Sequence, residues 1–205
     1  MDNGDNSRCG WGLQLLIKSF ELLRIEKYGV ILQRLTKEDI ELVRNWRNDP
    51  KISKHMSFRS YITSEMQEAW FESINSSGVD FYFIIQHGED KVGLANIKNV
   101  SWSDKIGESG IFIYDDSYSN SLFPFRSGSA LFDFAFYELE LNVLVCHILK
   151  NNYRAIRYNQ KFGFTIGCGQ SEIQNQKYIL TKQSYEANMI FVRQFLLKTT
   201  ATEYL

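Results

Sequence analysis

The stretch Asn151-Asn152-Tyr153-Arg154-Ala155-Ile156-Arg157-Tyr158-Asn159-Gln160-Lys161-Phe162-Gly163-Phe164 follows closely on Val143-Leu144-Val145-Cys146-His147-Ile148-Leu149. The second of these is a short apolar run of strand length. The first reads as a helix from about Asn152 to Phe162. Upstream lie a polar loop, Asp115 to Ser121, and a helix from about Phe125 to Glu140. The block from Ser117 to Phe164 therefore runs strand end, loop, long helix, strand, helix.

Outward from this block the period changes. Asp80 to Gln86, Lys91 to Asn99 and Ile106 to Tyr114 read as successive strands, with turn signals at His87-Gly88-Glu89-Asp90 and Trp102-Ser103-Asp104. Before them, Thr36-Lys37-Glu38-Asp39 resembles a capping box, with Ile40, Val43 and Trp46 spaced for one helical face. A second helix is expected from Ser64 to Asn75, with Met66, Ala69, Trp70 and Ile74 as its stripe. Strands Thr165 to Cys168 and Lys177 to Thr181 close the order, and residues 184–198 could add a last helix. The fold class expected is α/β (α+β), with a central mixed sheet and helices on both faces.

The chain has 205 residues, enough for one domain with extensions. Residues 30–182 are expected to form that domain. Residues 1–29 form an extension packing on it, and residues 183–205 a helical one. The apolar stretch Leu13 to Ile25 is broken by Lys18, Glu21 and Arg24, too short and charged to span a bilayer. With 23 basic and 24 acidic side chains, nothing points to nucleic acid or a membrane surface. Cys9, Cys146 and Cys168 show no C-x-x-C spacing, which suits a reducing cytoplasm. His55, His87 and His147 lack zinc spacing, and no H-E-x-x-H, G-x-S-x-G or Walker loop occurs. Metal, serine and nucleotide hydrolysis are therefore poor readings.

Three phrases carry a family resemblance. They are Asp39-Ile40-Glu41-Leu42-Val43-Arg44-Asn45-Trp46-Arg47-Asn48 followed by Trp70-Phe71-Glu72-Ser73, Gly107-Glu108-Ser109-Gly110-Ile111-Phe112-Ile113, and Asp133-Phe134-Ala135-Phe136 leading through Leu141-Asn142 into the Asn152 to Phe164 motif. Over roughly Val30 to Lys182 the chain resembles the GNAT superfamily of acyl-coenzyme A-dependent N-acetyltransferases. The resemblance implies a mostly antiparallel sheet whose fourth and fifth strands splay apart. It also implies acetyl-coenzyme A as co-substrate, no metal, and a small-molecule amine as acceptor, and it is compatible with a homodimer. The wording around Trp46–Asn48 and Glu65–Ser73 is similar to a branch acting on nucleotide-linked amino sugars. A branch acting on ribosomal-protein N-termini is the alternative, and a degenerate, non-catalytic GNAT-fold binding protein is another.

The resemblance also implies roles. Ile111, Phe112 and Ile113 would lie beside the pantetheine arm, and Asn152 would contact the coenzyme. Glu108 would relay a proton from the amine. A phenol suits protonation of the leaving thiolate; the family's tyrosine position here holds Asn159, and Tyr158 is one place earlier, about 100° around the helix. Arg47, Asn48, His55 and Gln67 would face the acceptor, with Phe58, Tyr61 and Trp70 as stacking surfaces, although Trp46 and Trp70 also fall on apolar stripes.

The family's pyrophosphate loop falls on Ser119-Asn120-Ser121-Leu122-Phe123-Pro124, running into Phe125 and Arg126, and it has no glycine. Glycines normally let such a backbone approach phosphates at a helix N-terminus. Either Pro124 opens the helix, Asn120 takes the left-handed conformation and Arg126 supplies charge, or the loop no longer binds coenzyme A.

Overall fold

The computed structural model describes residues 23–190. Residues 1–22 of the expected N-terminal extension (1–29) and 191–205 of the expected C-terminal one (183–205), Cys9 among them, lie outside the described residues. Eight strands form one sheet in the order β1-β2-β3-β4-β5-β6-β8-β7. They are β1 (Arg24–Lys27), β2 (Val30–Arg34), β3 (Phe81–His87), β4 (Asp90–Ser101), β5 (Ile106–Ile113), β6 (Val143–Leu149), β7 (Thr165–Ile166) and β8 (Asn175–Thr181). Every neighbouring pair is antiparallel except β5 and β6. The mixed, mostly antiparallel sheet expected from the sequence is present, with β1 added at its edge as a hairpin onto β2.

The helices are α1 (Ile40–Asn48), α2 (Pro50–Ser53), α3 (Ser64–Ser76), α4 (Asp116–Ser119), α5 (Phe123–Asp133), α6 (Tyr153–Phe162) and α7 (residues 182–190). The Thr36–Asp39 capping box forms on a 3-10 turn (Lys37–Asp39) that runs into α1. Thr63 caps α3 by accepting from the Met66 N–H at 3.3 Å. Gly163 ends α6 at φ 101, a left-handed geometry that glycine enters without steric cost. The long helix expected from Phe125 to Glu140 begins two residues earlier and changes at Phe134–Glu138 to π geometry. There Phe134, Ala135 and Phe136 are all buried. The expected loop Asp115–Ser121 contains α4, because the Asp115 carboxylate accepts from the Ser117 N–H at 2.9 Å and starts a turn.

β3 is buried on both faces from Phe81 to Ile85, as a central strand between two helical layers must be. On one face α5 and α6 cover the larger core, which includes Leu32, Phe83, Leu131, Phe132, Phe136, Leu144 and Phe162. On the other, α1 and α3 cover Ile84, Leu94 and Tyr82 with Val43, Trp46 and Ile74. No helix among the described residues is long and apolar enough to cross a membrane.

Candidate active site

The site begins where the sheet comes apart. β5 and β6 pair at Ile106–Val143, Gly107–Leu144 and Glu108–Val145, and no further. β6 continues paired to β8 as far as Leu149, and β5 continues paired to β4 as far as Ile113. The two strands therefore fork after Glu108. The Ser109 hydroxyl donates to the Val145 carbonyl at 3.5 Å just beyond the last rung.

Strand alternation tells which backbone groups meet the gap. The Tyr114 N–H donates to the Val92 carbonyl at 2.7 Å, so even-numbered residues of β5 turn their polar groups to β4. Ile111 and Ile113 turn theirs to the gap, where no described residue pairs with them. Phe112, expected beside the same ligand, instead spends its backbone on β4. Its ring meets Trp46 edge-on, with centroids 6.2 Å apart, because its side chain points to the α1 face. On the opposite face Ile111 and Ile113 pack against the larger core, as do partly buried Phe125, Ala155 and Ile156.

At the crotch of the fork lies Glu108. Its Oε1 is 3.1 Å from Lys98 Nζ and 3.4 Å from His147 Nδ1, and its Oε2 accepts from Asn99 at 3.1 Å. Asn99 reaches it because a register irregularity in β4 between Lys98 and Ser101 puts Asn99 at φ 52, a conformation asparagine tolerates. Burial acts to raise the Glu108 pKa. Lys98, Asn99 and His147 outweigh it and hold the carboxyl below its ordinary value. Glu108 is thus a well-held anion, which makes it a weak base.

On the same face, the Asn96 amide lies over Gly110. A Cβ on Gly110 would come 2.9 Å from Asn96 Nδ2, and Asn96 Oδ1 is buried without a protein partner among the described residues. Farther along, half-buried Arg47 lies with its guanidinium 5.5 Å from the Trp70 ring centroid. Burial lowers its pKa, with Tyr82 opposing, and no carboxylate among the described residues pairs with it. Tyr82 beside it is pushed up to about 12, chiefly by burial. The pKa of His55, on the exposed loop after α2, is lowered by partial burial and by the positive charges of Lys54, Arg59 and Arg154.

Several expected site residues are spent on structure. The Asn48 amide donates to the Ile62 carbonyl at 2.9 Å and accepts from the Ile62 N–H at 2.8 Å, closing the loop between α2 and α3. Gln67 is 1% exposed and donates to the Ile40 carbonyl at 3.0 Å, inside the α1–α3 packing. The Tyr158 hydroxyl donates to the Pro124 carbonyl at 2.8 Å, and burial raises its pKa, which makes the phenol a weaker acid. Asn159, at the family's tyrosine position, is buried and donates to Ala155 at 2.9 Å. Asn152 caps α6 by accepting from the Ala155 N–H at 3.2 Å.

The glycine-free loop differs from the first of the two expectations. Asn120 has φ −105 and is not left-handed. Pro124 is the second helical residue and not the first. Arg126 is 7% exposed, so its guanidinium lies within the packed layer and not at the mouth. Leu122, 47% exposed, does not plug the fork. Phe123 is buried against His87 and Tyr118. Its N–H donates to the Ser121 hydroxyl at 3.0 Å, Pro124 has no N–H, and the Arg126 N–H takes the Leu122 carbonyl at 2.9 Å. Of the first-turn donors only the Phe125 N–H finds no partner among the described residues. Its ring stacks on Phe162 at 4.3 Å.

A cation does stand at this mouth. Arg154, in the first turn of α6, donates to the Ser119 carbonyl and, at 3.4 Å, to Asn120 Oδ1. The sequence reading passed over Arg154, Lys98, Asn96 and His147. The parallel strand–helix–strand order could have brought them out. It sets β5 and β6 side by side and turns the start of α6 towards the loop after β5.

Comparison with known proteins gives this geometry a setting. Residues 30–165 match the family model described as the acetyltransferase (GNAT) domain. The chain is 25% identical over 150 residues to the acetyltransferase PseH of Campylobacter jejuni, covering 73% of this chain and 90% of that one. The apo structure of FdhC, described as a nucleotide-linked sugar GNAT, superposes with a TM-score of 0.70 at 19% identity, covering 85% of this chain and 98% of FdhC. Spermidine N-acetyltransferase from Vibrio cholerae, solved with CoA and spermine, gives 0.66 at 15% identity, covering 77% and 98%.

Proposed function

The chain belongs to the GNAT acetyltransferase family and is an acyltransferase, and from that premise we propose that it moves an acetyl group from acetyl-coenzyme A to the amine of a nucleotide-linked amino sugar. The forked strands fit the first substrate. Ile111 and Ile113 offer unspent backbone groups along the gap, which can bond an extended amide-bearing arm as a further strand would. Arg154 and the Phe125 N–H supply charge and a donor where phosphates would lie.

The observation that carries the second substrate is Arg47. A half-buried guanidinium without a carboxylate partner is costly unless an anion completes it. A sugar nucleotide brings a diphosphate, which an arginine fork matches. A polyamine or a basic protein tail would require surplus carboxylate instead, and Glu108 is already balanced by Lys98. The description of the structural neighbour FdhC as a nucleotide-linked sugar GNAT supports the same direction.

The test is a thiol-release assay with acetyl-coenzyme A and three acceptors: UDP-glucosamine, spermidine and a basic N-terminal peptide. Turnover highest with the sugar nucleotide is the expected result. Preference for spermidine or the peptide overturns the acceptor. The loop with a single open N–H favours one rival, a fold retained for binding alone. Absence of acetyl-coenzyme A binding by calorimetry would establish that rival.

A further inference from the structure

His147 contacts Glu108 across the fork. It lies on β6 two residues beyond the last rung of the fork, and alternation puts its ring on the face that carries Glu108 and Val145. Its side chain is 38% exposed. The charged groups around it are Glu108 on β5 at 3.4 Å, Lys98 on β4, which contacts the same Glu108 oxygen, and Lys177, its cross-strand partner on β8. Building on the acetyl-transfer reading above, we infer that His147 is the proton acceptor for the incoming amine and that Glu108 is its positioning residue.

The placement of the hydrogens distinguishes the two groups. A carboxylate has only lone pairs to offer, so in the Glu108–His147 contact the hydrogen sits on Nδ1. In the neutral ring Nε2 then carries the free lone pair. Glu108 already receives Lys98 and Asn99 as well as His147, which leaves it suited to holding an imidazole and ill suited to taking a proton itself. A buried carboxylate orienting an imidazole recurs on unrelated folds.

Aliphatic amines arrive as ammonium ions near neutral pH. One proton passes from that nitrogen to His147 Nε2, directly or through one water. The nitrogen then forms its bond to the thioester carbonyl carbon as the carbon–sulfur bond breaks. The second amine proton ends on the departing thiolate, and the imidazolium returns its proton to solvent. An ammonium ion and a thioester thus give an amide, a thiol and one proton.

The experiment compares the wild type with His147→Ala and His147→Gln, using whichever of the three acceptors above turns over fastest. The expected kcat falls about 100-fold in both variants, the range of a single acid–base group. Acetyl-coenzyme A affinity stays unchanged, which also shows that the variants fold. Added imidazole restores turnover in His147→Ala and not in the wild type. Wild-type kcat in both variants, or a loss that imidazole does not rescue while coenzyme binding persists, overturns the role of His147. If the wild type itself releases no thiol with any acceptor, the acetyl-transfer reading fails and takes this inference with it.

Discussion

The Tyr158 hydroxyl donates to the Pro124 carbonyl at 2.8 Å and so ties α6 to the first turn of α5. The same hydroxyl lies where a side chain on Gly128 would have to go, 2.2 Å from an added Cβ. Tyr158 is therefore a packing residue with a polar tip. Tyr158→Phe should cost about 1 kcal/mol, lowering Tm by about 2–4 °C, with turnover essentially retained. Gly128→Ala should cost about 1–3 kcal/mol through overpacking, and adding Tyr158→Phe should give part of that back. Thermal melts and a thiol-release assay check both. A loss of turnover of about 100-fold in Tyr158→Phe would restore the phenol as the acid.

Glu108 gives a pH prediction with a definite sign. Its folded pKa lies below the ordinary carboxylate value, so its contribution to stability is present above that value and is lost as pH falls through the folded one. Urea melts of wild type and Glu108→Gln should show a gap at pH 7 that closes below about pH 4. A gap independent of pH would mean that Lys98, Asn99 and His147 do not hold the charge.

Arg47 separates acceptor binding from chemistry. Arg47→Ala should raise KM for a nucleotide-linked acceptor about tenfold or more, with kcat little changed and coenzyme affinity unaffected. Arg47→Lys should recover only part, since a point charge replaces a fork. Equal effects on spermidine and on the sugar nucleotide would show that the guanidinium reads no phosphate.

Pro124→Gly restores an N–H at the second position of α5, where helix-end donors attract anions. Calorimetry with acetyl-coenzyme A should show affinity kept or improved. A large loss would mean that proline shapes the loop in a way the added donor cannot replace.

The frame was legible because its signals are local or periodic. Thr36 and Asp39 announce a helix start, and the run Phe81–Ile85 in β3 announces a strand. The π turn at Phe134–Glu138 escaped because burying Phe134, Ala135 and Phe136 together is a tertiary demand that a simple helical period does not show. Site residues were read less well wherever polarity served packing. Asn48 and Gln67 look like ligand contacts in sequence, yet one closes a loop and the other caps nothing but the backbone of α1. His147 and Arg154 were passed over because their partners, Glu108 and Ser119, are distant in sequence and become near only through strand register and the turn into α6.

A row of unpaired strand amides is ordinarily an invitation to other chains, and proteins guard against it with charge, proline or a bulge. Along Ile111 and Ile113 that row opens inside the sheet, with β6 and β8 beyond it and α5 and α6 on one side. The sheet edge of another protein, unlike a single slender arm, cannot dock there without prising β6, β8 and β7 away from β5. The fork can thus stay bare between turnovers without making the protein prone to aggregation.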